Sequence, residues 1–119
     1  MSGILSTSVL DTMHGHPAEG MRVSLSGIRN DGEIKLITWN HINEHGRTDK
    51  PLLSGDNMQV GIYELSFKVN EYFRAKGIDL PDPPFLTEVP VRFSIYDSEA
   101  NYHVPLLCTP WSYSIHLKR

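Results

Sequence analysis

Apolar and polar residues change places every second position along most of this chain, and breakers cut each run short. Met21, Val23 and Leu25 alternate with Arg22, Ser24 and Ser26, and Tyr63, Leu65 and Phe67 alternate with Glu64 and Ser66. Val89, Val91, Phe93 and Ile95 repeat the pattern. Period two is the repeat of a half-buried strand, so these runs build sheets with one apolar face. The closing segment alternates too, with Trp111, Tyr113 and Ile115 on one face and Ser112, Ser114 and His116 on the other. Its second face carries hydroxyls and an imidazole, and is expected to look into a site.

Between these runs the chain supplies turns. Ile4 to Thr12 reads as a first strand, and Gly15 and Pro17 break the connection from Met13 to Gly20. Asn30-Asp31-Gly32 suits a tight hairpin. Glu33 to Ile42 carries apolar weight on both faces, as a strand covered by the core and by another subunit would. Asn43 to Asn57 is a polar loop holding Arg47. Asn70 is expected to cap a short helix, Glu71 to Lys76, stopped by Gly77. Pro81, Pro83 and Pro84 give a rigid extended connection, and Pro105 and Pro110 are expected to break the closing segment. Many short strands with one small helix predict an all-β antiparallel sandwich, a single domain over residues 1–119. A chain of this length buries about two-thirds of its unfolded surface without staples.

Composition removes several function classes. The net charge is −3 and the pI about 6.0, with Lys and Arg scattered, so no basic stripe offers a nucleic-acid interface. No apolar run reaches the roughly 20 residues of a membrane helix. The first residues lack both the basic start and the apolar core of a secretory signal, and a reducing, cytoplasmic setting is expected. Cys108, the single cysteine, sits in an apolar run and reads as a small buried hydrophobe. His14-x-His16 and His41-xxx-His45 suggest a metal, but neither pair has a cysteine or acidic third ligand at a familiar spacing. They are expected to be loop histidines, with no metal and no cofactor.

Several blocks are familiar together. Leu5-Ser6-Thr7-Ser8-Val9-Leu10-Asp11-Thr12, with Gly15 and Pro17-Ala18, resembles the opening LSTHVLDTxxGxPA of the transthyretin-like 5-hydroxyisourate hydrolases. Gly46-Arg47-Thr48 with Pro51-Leu52-Leu53 resembles their second block, and Tyr102-His103-Val104-Pro105-Leu106-Leu107 with Pro110-x-Ser112-Tyr113-Ser114 their third. Tyr63-x-Leu65-x-Phe67 and Tyr72-Phe73 fall where that family has its last central strand and its helix. The resemblance spans the chain in order. It implies a prealbumin-like sandwich of two four-stranded sheets, and a homotetramer, a dimer of dimers, with small-molecule sites at the dimer–dimer interface.

The resemblance also implies chemistry: water attacks a ring carbonyl and a cyclic amide opens, which needs a base and groups that stabilise an oxyanion. The family's second-block arginine matches Arg47, a clamp, and its third-block histidine matches His103, the natural base. Its first-block histidine falls on Ser8, and its closing Tyr-Arg-Gly-Ser falls on His116-Leu117-Lys118-Arg119. Ser8 and Leu117 give room and apolar contact, Ser114 and His116 share the polar face, and Lys118 and Arg119 read as a solvated tail. The expected function is ring opening of a 5-hydroxyisourate-type purine product, N-methylated as in methylxanthine catabolism. Two alternatives stand beside it: plain 5-hydroxyisourate hydrolysis in a rearranged site where His116 replaces the lost histidine, and non-catalytic small-molecule binding.

Overall fold

The computed structural model describes residues 3–118. The first alternating run forms strand β1, Ile4–Asp11, which buries Leu5, Thr7, Val9 and Asp11 and leaves the residues between them at least partly exposed. A turn then brings back a two-residue strand, β2, His16–Pro17. The Asn30-Asp31-Gly32 turn joins β3, Arg22–Ile28, to β4, Ile34–His41, with Gly32 at φ 89°, as a tight hairpin requires. Leu53–Ser54 (β5) and a 3-10 turn, Gly55–Asn57, lead to β6, Gly61–Phe67. Helix α1, Val69–Ala75, β7, Val89–Ile95, β8, Tyr102–Cys108, and β9, Tyr113–Ile115, complete the chain.

The strands form two sheets. One has the order β2-β1-β8-β9, with β5 also against β1; the other has the order β4-β3-β6-β7. Their inner faces meet in one core that includes Leu5, Val9 and Leu106 from the first sheet and Leu25, Leu65 and Phe67 from the second. This is the transthyretin-like sandwich with one helix that the sequence led us to expect, except that the first sheet gains a fifth strand because the short β5 pairs with the start of β1. Its sheets are antiparallel except at one place: β1 and β8 run parallel, from Leu5 opposite Tyr102 to Asp11 opposite Cys108. Among the described residues, no helix is long and apolar enough to cross a membrane.

Local expectations needed correction at three points. Strand β8 runs straight through Pro105 instead of breaking there. His103 exchanges both backbone hydrogen bonds with Lys118, at 2.8 and 2.7 Å, so strand alternation turns the nitrogen of Pro105 the same way. The missing N–H therefore removes a donor from the β9 side and leaves the β1 ladder whole. Helix α1 begins earlier than expected, with Lys68 at its N-cap and Asn70 inside it. Finally, β4 is an exposed edge: Ile34, Leu36, Ile37 and Trp39 are each about half accessible, so no core of this chain covers them.

The helix is tied to β1 by one buried carboxylate. Asp11 is fully buried and accepts hydrogen bonds from Tyr72 Oη at 2.7 Å, His14 Nδ1 at 2.6 Å and the His14 backbone N–H at 3.0 Å. Burial alone would raise its pKa; these donors outweigh burial and hold it below the ordinary 3.8. Tyr72→Phe should cost about 1.5–3 kcal/mol in urea denaturation at neutral pH, as loss of a bond to a buried charge does. Because the folded carboxyl is the stronger acid, its stabilisation is present above its ordinary pKa and is lost as the pH falls below it. The gap between parent and variant should therefore narrow below pH 3.8.

Candidate active site

Strand register builds the site. Ser6 faces His103 across the β1–β8 ladder, and Ser8 follows two residues later on the same face. Ser6 Oγ lies 2.8 Å from His103 Nδ1, and Ser8 Oγ lies 3.0 Å from His103 Nε2. A neutral imidazole donates from one nitrogen and accepts at the other, and a hydroxyl can do either, so both contacts are satisfied together. The ring is thus held at both ends and presented on the outer face of the sheet.

Arg47 reaches the same place from the long loop. Asn43 Oδ1 accepts the Arg47 N–H at 3.1 Å, and the Arg47 carbonyl accepts the Asn43 N–H at 2.7 Å. Gly46, at φ 85°, delivers its carbonyl to Val9 N–H at 2.9 Å and brings Arg47 beside Ser8 as a bridge partner. A side chain at Gly46 would be strained by that φ and would also press on Pro17 and the Val9 carbonyl, each 3.3 Å from the added carbon.

The cleft has a volume of about 490 Å³. Its lining includes Ser6, Ser8, Arg47, His103, Pro105 and His116. Lys118 lies there as well, so it is no solvated tail; Arg119 lies outside the described residues. Ser114 and Leu117 are not among the lining residues. Leu117 corrects the sequence reading. Lys118 pairs with His103 and Ile115 with Leu106, so His116 and Lys118 share the outer face while Leu117 projects to the other, 46% exposed. Ser114 has the parity of His116 but pairs further along, with Leu107. Two residues the sequence reading missed, Ser6 and Lys118, were each two positions from one it had chosen. The period itself was the available signal.

Burial is the largest influence on His103 and lowers its pKa from the ordinary 6.5; the nearby charges of Arg47 and Lys118 push it the same way. The imidazolium form is therefore disfavoured, and the ring rests neutral at pH 7. Among the described residues, no carboxylate side chain lines the cleft. Among the described residues, the one group of three His, Cys, Asp or Glu side chains close enough for a cation is Asp11, His14 and His16, beyond the end of the cleft.

A sequence model of the HIUase/Transthyretin family matches residues 5–117. The chain belongs to that family. It is 47% identical over 115 residues to 5-hydroxyisourate hydrolase 2 of Rhizobium meliloti, covering 97% of this chain and 95% of that protein. It is 48% identical over 116 residues to 5-hydroxyisourate hydrolase of Ralstonia nicotianae, covering 96% and 97%. Among solved structures, an (S)-allantoin synthase superposes with a TM-score of 0.92 at 39% identity; 99% of this chain spans 44% of that one. Sea bream transthyretin, solved with thyroxine, superposes with a TM-score of 0.86 at 23% identity, covering 96% and 93%, a likeness of fold.

Within this HIUase/transthyretin sandwich the one cysteine plays no part in the cleft. Cys108 is 1% exposed, and burial, with the Asp11 charge beside it, pushes its thiol up to about 12. Native protein should resist iodoacetamide at pH 8 and incorporate one equivalent per chain once unfolded in urea, as mass spectrometry would read.

Proposed function

We propose that this cleft opens the ring of an N-methylated 5-hydroxyisourate. The family supports the coarser activity: the chain is a hydrolase of the 5-hydroxyisourate type, in purine catabolism. The observation that carries the mechanism is the neutral His103 held between Ser6 and Ser8 with two cations at hand. His103 takes a proton from the attacking water, the oxygen adds to a ring carbonyl, and the carbonyl electrons move onto its oxygen. Arg47 and Lys118 stabilise that oxyanion. When the tetrahedral centre collapses, the ring C–N bond breaks, and the imidazolium returns its proton to the leaving nitrogen. Water is consumed, and a freed N–H and a carboxylic acid are produced, the acid giving its proton to solvent as it leaves as a carboxylate.

The N-methyl group is supported by position 8. The family's histidine there is replaced by a hydroxymethyl group next to His103 Nε2, which leaves volume where an imidazole would stand. Ile4 and Pro105 supply apolar surface in the lining. Leu117 no longer contributes to this reading. His116 in the same lining favours the second reading, plain 5-hydroxyisourate hydrolysis with His116 in the lost histidine's role. In either case the working form is a homotetramer with the outer face of this sheet turned to a partner copy; half-exposed Trp111 and Tyr113 along the terminal edge are in keeping with it. A lone buried Cys108 fits a reducing, cytoplasmic setting.

His103→Asn and Arg47→Ala should each lower kcat/KM by about 100-fold or more while melting as the parent does. Ser8→His should cost roughly 10- to 200-fold on the N-methylated substrate and spare or improve turnover of plain 5-hydroxyisourate. Enzyme-dependent rates above spontaneous decay, on both freshly generated substrates, decide the matter. A parallel rise on both would sink the N-methyl reading, and no turnover by any form would leave a binding protein.

A further inference from the structure

At the far end of β1, three side chains converge that the hydrolytic cleft does not use. Asp11 and His16 are directly opposite in the β1–β2 pairing, and His14 sits in the turn between them. Gly15, at φ 78°, closes that turn, donating its N–H to the Asp11 carbonyl at 2.8 Å. One ligand-type atom from each of Asp11, His14 and His16 lies within 4.8 Å of the others. The two imidazoles lie 5.5 Å apart between centroids with their planes only 14° apart.

We propose that His14 and His16 bind a divalent transition-metal ion, with Asp11 as the carboxylate that orients His14. The hydrogen bonding is the argument. His14 Nδ1 lies 2.6 Å from Asp11 Oδ2, and His16 Nδ1 lies 2.8 Å from the Pro17 carbonyl. A carboxylate and a carbonyl only accept, so each Nδ1 carries the proton and each Nε2 keeps its lone pair. That is the arrangement in which histidines ligate metals: one nitrogen fixed by a carboxylate or backbone oxygen, the other given to the ion. Asp11 cannot drift, because it is fully buried and also accepts from Tyr72. Imidazole nitrogens select zinc, copper or nickel over calcium or magnesium, which ask for oxygen cages. Water would fill the remaining positions.

Such an ion would brace the support of Arg47. Pro17, next to His16, packs where Gly46 passes, and Gly46 carries Arg47. Binding to the folded chain alone would raise its stability in proportion to occupancy.

Calorimetric titration of the purified protein with zinc chloride in a non-chelating buffer tests this, paired with melting curves. One zinc ion per chain and a zinc-dependent rise in melting temperature are expected of the parent. The His14→Ala/His16→Ala double variant should melt somewhat below the parent without zinc, having lost the His14–Asp11 hydrogen bond, and its melting temperature should not respond to added zinc. Asp11→Asn, where it folds, should bind zinc about 10- to 100-fold more weakly. Absence of zinc binding by the parent would overturn the proposal. So would undiminished binding by the double variant, which would assign the ion to His41, His45, His103 or His116 instead.

Discussion

Two segments nearly a hundred residues apart lie parallel at the centre of one sheet, and the register between β1 and β8 has two consequences at once. On the inner face it stacks Leu5, Val9, Val104 and Leu106 into the core, with Thr7 Oγ1 donating to the Val104 carbonyl at 2.7 Å. On the outer face it sets Ser6 and Ser8 against the two nitrogens of His103. A slip of one residue would exchange the faces, burying serines and exposing leucines. The fold and the site are thus selected by the same pairing, and the apolar cost of a slip protects the chemistry.

Around that pairing, charge is distributed to keep an imidazole neutral. Burial disfavours imidazolium, and Arg47 and Lys118 disfavour it again from opposite sides of the chain, one from a loop and one from the terminal strand. The same cations that suppress protonation at rest are suited to hold negative charge on a substrate. Pro105 adds to this. Its missing N–H interrupts the ladder opposite His116, so the terminal strand is held by Lys118 on one side and by Leu106 to Cys108 on the other.

The sheets were legible because alternation is a direct imprint of one buried face: Met21, Val23, Leu25, Tyr63, Leu65 and Phe67 are all buried, as their spacing requires. The parallel β1–β8 contact was not, since no local pattern tells a strand which distant strand it will join. The resemblance singled out Arg47, His103 and Ser8, whereas alternation alone could have found Ser6 and Lys118 and excluded Leu117. Of the chosen residues, Ser114 and Leu117 fall outside the cleft lining, and Ser6 and Lys118, which line it, were not chosen. The exposed β4 shows the opposite limit: apolar residues on both faces looked like double burial, but an edge strand can carry them uncovered within its own chain. Asp11 escaped notice as a neighbour of His14 and His16 because the turn, not the spacing, brings them together.

A base poised by burial and by two cations is the centre of this account, and the protonation of His103 reports on it directly. Side-chain NMR titration, assigned with His103→Asn, should show the imidazole losing its proton below the ordinary 6.5 in the parent. In Arg47→Ala the midpoint should move back upward, since one of the charges opposing imidazolium is gone. A His103 that titrates above 6.5 in the parent, or that ignores the loss of Arg47, would contradict it.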